Sequence, residues 1–160
     1  MEEKTNVMRI LEQKKIAYQP HSYVTTDAVS GTEVAAVLGQ DPKRVFKTLV
    51  TVAKSGNHYV FVIPVEKELD LKKAAKAVGE KSIDMVKSKE LLGLTGYIHG
   101  GCSPIGMKKK FPTVIQENAA GFDRIYVSGG RIGLSLKMAP ADLVKVTQAI
   151  YADVLAEEME

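Results

Sequence analysis

The sequence predicts a mixed α/β fold, α+β-like, formed as one domain over residues 1–160 around a largely antiparallel sheet. Two observations carry this. Short strand-like segments crowd the middle of the chain and are joined by hairpin-type turns. Helical periodicity is concentrated early and at the end, without the strand–helix alternation of a doubly wound sheet. No internal repeat, low-complexity segment or long linker divides the chain.

Taken in order, residues 5–15 read as a helix, with Val7, Ile10 and Leu11 at helical spacing and Thr5 as its cap. Ile16 to Tyr23 reads as a short edge strand. Ser30 and Glu33 form a capping box before Val34, Val37 and Leu38, and Gly39 closes that helix. Residues 44–53 and 58–65 are strands flanking the turn Lys54-Ser55-Gly56-Asn57. Alternation puts Phe46, Thr48, Val50 and Val52 on one face, and Lys47, Leu49, Thr51 and Ala53 on the other. A lysine on a partly apolar face either snorkels to water from the strand's end or points into a pocket.

Asp70 caps a helix through Val78 that Gly79 ends. Residues 81–86 read as a strand, and Ser88 caps one helical turn ended by Gly93. Tyr97-Ile98-His99 and Thr113 to Gln116 read as strands. Arg124 to Val127 and Ile132 to Met138 read as two more, joined tightly through Gly129-Gly130. Pro140 starts a last helix with Leu143, Val146, Ile150 and Val154 on one face.

No apolar run approaches the ~20 residues that span a bilayer. The single cysteine excludes an internal disulfide and suits a reducing compartment, and a cytosolic protein is expected. The net charge of +3 is too small to announce a nucleic-acid binder. Basic residues do cluster, in Lys43, Arg44 and Lys47, in Lys72, Lys73 and Lys76, and in Lys108, Lys109 and Lys110. Taken singly, each cluster reads as a solvated face before it reads as a site.

The stretch from Thr95 to Lys110, TGYIHGGCSPIGMKKK, is too elaborate for a simple turn. It carries four glycines, Cys102, His99, Ser103 and the stiffening Pro104. It is either a wide Gly-rich turn with a basic exit or a loop that cradles a ligand. His21, His58 and His99 share no ligand spacing with one another or with Cys102, so no metal is expected. The run Gly101 to Lys108 lacks the pattern of a phosphate loop, and there is no GxSxG elbow. Cys102 is a candidate nucleophile with His99 or His21 as base, or simply a small buried side chain.

Four motifs in register carry a resemblance over about residues 5–155. They are Phe46-Lys47-Thr48-Leu49, Thr95-Gly96-Tyr97, Gly100-Gly101-Cys102-Ser103-Pro104-Ile105-Gly106 with the following lysines, and Ile125-Tyr126-Val127-Ser128-Gly129-Gly130. Together they resemble the YbaK/EbsC family, free-standing relatives of the editing domain of bacterial prolyl-tRNA synthetases. The resemblance implies a barrel-like sheet flanked by helices and an aminoacyl-tRNA deacylase without a cofactor. It implies removal of cysteine from tRNA(Pro), and in some members from tRNA(Cys), with the substrate's own thiol attacking its ester. Removal of alanine from tRNA(Pro) by water, or non-catalytic tRNA binding, are the competing readings.

The resemblance places Lys47, Gly100, Gly101 and Ser103 at the chemistry. It places Tyr23, Thr48, Cys102, Pro104, Ser128 and Gly129 around the substrate. Lys43, Arg44 and Lys108 to Lys110 are then candidate tRNA contacts, and prolyl-tRNA synthetase a candidate partner in a ternary complex. Ser135 stands where some relatives carry an acidic residue, so that carboxylate's role does not transfer. Relatives commonly carry an aliphatic residue where Cys102 stands, which counts against a cysteine nucleophile.

Overall fold

Thr5 opens the first helix as its sequence suggests. In the computed structural model, which describes residues 4–22 and 39–157, its Oγ1 accepts the Met8 N–H at 3.3 Å. That caps α1 (Asn6–Gln13), which buries Val7, Met8 and Leu11. The expected Ser30–Glu33 capping box and Tyr23 lie outside the described residues. The strands are β1 (Gln19–Ser22), β2 (Phe46–Ala53), β3 (His58–Pro64), β4 (Ile83–Met85), β5 (Thr113–Gln116), β6 (Ile125–Ser128), β7 (Leu134–Met138) and β8 (Ile150–Ala152). The remaining helices described are α2 (Leu71–Val78), α3 (Ser88–Thr95) and α4 (Pro140–Thr147), with a 3-10 turn at Glu117–Gly121.

Two sheets result. A three-stranded antiparallel sheet runs β1-β7-β6, and a five-stranded sheet runs β4-β2-β3-β5-β8. The main core lies between them. Val60, Val62 and Ile115 of the larger sheet meet Val127, Leu134 and Leu136 of the smaller, with Leu11 and Leu143 from α1 and α4. A second core lies on the far face of the larger sheet, where Phe61, Ile63 and Val114 pack on Ala74 and Ala75 of α2. Both faces of β3 are therefore covered, which is why its sequence is a continuous apolar run. Fully burying one such side chain contributes about 1.5–3 kcal/mol.

At one corner the sheets are joined through main chain. Tyr126 N–H donates to Arg44 C=O at 2.8 Å, and Val45 and Tyr126 form an isolated parallel bridge. Among the described residues the two sheets do not close into a barrel.

Most strand pairings are antiparallel, as the sequence predicts, while β3–β5 and β5–β8 are parallel. Four expectations need correction. Helix α3 runs through Gly93 and ends at Gly96, whose φ of 83° suits glycine at a helix terminus. Residues 97–99 are then not a strand. The β6–β7 connection is a five-residue loop, Gly129 to Gly133, rather than a tight turn, and Gly129 N–H closes it on Leu134 C=O at 2.9 Å. The last helix stops at Thr147. Gln148 turns left-handed at φ 58°, and Ile150 begins β8 beside β5. Pairing with β5 overrides a helical periodicity that the sequence carries to Val154.

Helix α2 seals the second core, and its cap is made by one side chain. Asp70 accepts the N–H groups of Lys72 and Lys73 at 2.9 and 3.0 Å. We expect Asp70→Ala to lose about 1 kcal/mol of stability in urea unfolding, and Asp70→Asn to retain most of it.

Candidate functional site

A cleft of about 850 Å³ runs along one edge of β2. Residues 45 to 50 form its length, Gly100 and Cys102 come from the 97–106 loop, and Ser128 and Ser135 come from β6 and β7. Glu66 and Glu68, from the segment after β3, line it as well. The cleft thus gathers Lys47, Thr48, Gly100, Cys102 and Ser128 from three separate chain segments.

The edge of β2 explains why space remains there. On one side β2 pairs with β3 along residues 46–52. On the other side β4 pairs only with residues 51–53. Ala53 N–H reaches Asn57 C=O, so the odd-numbered residues of β2 bond toward β3. The even-numbered residues bond the other way, as Val86 N–H donating to Val50 C=O shows. Between Val50 C=O and the Arg44–Tyr126 bridge, Thr48 presents its N–H and C=O to an edge with no paired strand among the described residues. Its Oγ1 is buried without a hydrogen-bond partner. A buried orphan hydroxyl costs stability.

Lys47 is half-buried and forms no hydrogen bond or ion pair among the described residues. Leu49 and Ala53, on its row of the strand, pack in the second core. A lysine left without a counter-charge at a cleft is a ready anchor for an anionic or ribose oxygen.

The 97–106 loop is held by its own bonds. Thr95, nearly fully buried, donates through Oγ1 to Leu91 C=O at 2.8 Å and accepts the Tyr97 N–H at 3.0 Å. Lys108 N–H returns to Thr95 C=O at 2.9 Å. Ser103 is fully buried, and its Oγ accepts the Ile105 N–H at 3.2 Å. It organises the loop and does not line the cleft, and Pro104 beside it is buried too. Gly101 N–H donates to Ile98 C=O at 3.0 Å and is not available as a donor to a substrate. A Cβ on Gly101 would lie 2.9 Å from the Ile132 backbone nitrogen, so its glycine serves packing against the β6–β7 loop. Gly129 is alike, since a Cβ there would lie 2.6 Å from the Leu134 side chain. Of the loop glycines, Gly100 is the one on the cleft wall, at φ 89°.

The tRNA-contact candidates lie outside the lining. Lys43, Arg44 and Lys108 to Lys110 are exposed. The Arg44 guanidinium stacks 5.1 Å from the Phe122 ring centre, and Lys110 Nζ donates to Gln148 Oε1. Tyr23 lies outside the described residues. Reasoning from the sequence missed Glu66 and Glu68, which carry no motif and reach the cleft only through the turn after β3. Among the described residues no group of three or more His, Cys, Asp and Glu side chains gathers as a metal site. No helix described is long and apolar enough to cross a membrane.

Cys102 lines the cleft but is poorly placed for chemistry. Burial pushes its thiol up to about 12, against a smaller lowering by its hydrogen bond with Thr95. At neutral pH it is a protonated thiol, and the thiolate is the nucleophilic form.

In this mixed α/β fold the cleft brings together an orphan hydroxyl, open main chain and a lysine without a counter-charge, with no activated nucleophile among the described residues. Comparison with known proteins makes this specific. A model of the aminoacyl-tRNA editing domain matches residues 25–146. The chain belongs to the aminoacyl-tRNA editing domain family. It is 44% identical over 158 residues to EbsC of Enterococcus faecalis, a protein provisionally named a Cys-tRNA(Pro)/Cys-tRNA(Cys) deacylase, covering 98% of this chain and 96% of that one. It is 33% identical over 85 residues to a proline–tRNA ligase of Pelobacter propionicus, covering 53% of this chain and 15% of the ligase. A crystal structure of a hypothetical protein superposes with a TM-score of 0.86 at 26% identity, covering 95% of this chain and all of the other. Another, provisionally described as a trans-editing enzyme for prolyl-tRNA synthetase, superposes at 0.81 with 24% identity, over 97% and 100% of the chains, and shows the shared fold.

Two outcomes follow from the side chains. Cys102 should resist alkylation by iodoacetamide at pH 8 in the folded protein and react on unfolding. Its raised folded-state value means that its share of stability is intact below the ordinary thiol range and is lost as pH rises toward 12. Thr48→Val, which replaces the orphan hydroxyl by a methyl, should raise the urea midpoint, by about 1 kcal/mol of stability.

Proposed function

We propose that this protein is a trans-acting aminoacyl-tRNA deacylase that removes cysteine from mischarged tRNA(Pro), and from Cys-tRNA(Cys) as well. The observation that carries the reading is that Lys47, without a counter-charge among the described residues, and the orphaned Thr48 hydroxyl line one cleft. The identity to EbsC over nearly the whole chain supports the choice of substrate.

The ester's chemistry suits such a cleft. The cysteinyl thiol, deprotonated, attacks its own ester carbonyl. A carbon–sulfur bond forms, the carbon–oxygen bond to the ribose breaks, the ribose oxygen takes a proton, and a thiolactone leaves. The nucleophile comes from the substrate, so the protein supplies position and charge stabilisation. Lys47 anchors ribose or phosphate oxygens of the CCA end. Gly100 and Ser128 shape the wall opposite β2. The exposed lysines 108 to 110 contact the acceptor stem by salt-sensitive phosphate pairing. Modest net charge gives weak tRNA affinity alone, which suits delivery in a ternary complex with prolyl-tRNA synthetase.

The test is deacylation of labelled Cys-tRNA(Pro) by the purified protein. Lys47→Ala should lose about 100-fold in rate while keeping its unfolding transition. A normal rate in that variant would remove Lys47 from the site. Ala-tRNA(Pro) in the same assay separates the water-driven reaction, because alanine carries no thiol.

A further inference from the structure

The lining of the cleft carries both signs of charge. Lys47 offers positive charge, whereas Glu66 and Glu68 line the same space as carboxylates. Neither glutamate forms an ion pair among the described residues. Carboxylates repel phosphate, so this part of the cleft is unsuited to the tRNA backbone and suited to a cation. Thr48 lines the same cleft, with a main-chain carbonyl that no strand pairs on the open edge among the described residues and a buried hydroxyl that has no partner. Both are acceptors, and they belong to one residue, within reach of a single donor group.

An aminoacyl ester carries one such cation, its free α-ammonium. Resting on the deacylase reading above, we propose that Thr48, through its C=O and Oγ1, holds the α-ammonium of the aminoacyl group, with Glu66 and Glu68 supplying the surrounding negative charge. The cleft then selects unblocked aminoacyl esters, and an acyl group lacking the amine binds poorly. The ammonium completes the bonding that β2 leaves open. It also fixes the Cα substituents, so that the side chain and the scissile carbonyl take set positions relative to Lys47 and Gly100.

Binding is measured by calorimetry with two stable amide-linked analogues, 3′-alanylamido-3′-deoxyadenosine and its propionyl counterpart, which differ by the amine alone. The wild-type protein should prefer the alanyl compound by about ten- to hundred-fold, the range for a hydrogen-bonded charged group. Thr48→Val and the double variant Glu66→Gln/Glu68→Gln should each cut that preference by about ten-fold, and Thr48→Ser should keep it. Equal binding of the two analogues, binding of neither, or an unchanged preference in Thr48→Val overturns the proposal. Turnover of Cys-tRNA(Pro) is scored separately. A preference for the amine without turnover leaves the ammonium site standing and removes the deacylase reading, whereas turnover without a preference does the reverse.

Discussion

The bond from Tyr126 N–H to Arg44 C=O sets the geometry on which the cleft depends. It joins the three-stranded sheet to the start of β2 and stops there. Val86 N–H joins the middle of β2 to the segment after β4 through Val50 C=O. Between these two fixed points the strand has a partner on one side and space on the other. The other side of β2 is tied to β3 along its length, so the gap cannot close by moving the strand. Both cores hold β2 in place, through Phe46 and Val50 on one face and Leu49 and Ala53 on the other. The open edge is therefore rigid, and an unmet hydrogen-bonding surface can be maintained without local collapse.

The 97–106 loop is rigid for a different reason. Its shape comes from Thr95, Ser103 and Tyr97 bonding to nearby main chain, and from glycines that let backbone approach backbone. Gly101 packs on Arg131 and Ile132, and Gly106 approaches Ile10 and Asn6. This moves the meaning of the glycine run from ligand contact to assembly, with Gly100 excepted. Cys102 follows the same logic, since its position in a tightly packed loop raises the cost of its thiolate.

Local signals made much of this legible. The caps at Thr5 and Asp70, the helix start at Pro140, the stop at Gly79 and the hairpin at residues 54–57 all stand in the structure where the residues place them. Long-range pairing was not legible. Nothing in Ile150-Tyr151-Ala152 announces a parallel neighbour 35 or so residues back, and the apolar spacing of Leu143, Val146 and Ile150 fits a helix equally well. Gly93 reads as a stop, yet helix α3 carries it to Gly96, because a lone glycine costs only about 1 kcal/mol within a helix. At the site, the alternation of β2 isolates Lys47 and Thr48, but the open edge becomes visible only once β4 is seen to stop at residue 51. Glu66 and Glu68 look like ordinary surface charge in the sequence, and the fold alone turns them toward the cleft.

Gly101 has a wider consequence. Where its α-carbon meets the backbone of Arg131 and Ile132, two loops far apart in sequence share one surface with no side chain between them. Neither can lengthen, shorten or change conformation without the other accommodating it. A change in the length or conformation of one is therefore a change in the packing of the other. Transplanting one of them into a related scaffold would carry its residues across and leave its shape behind.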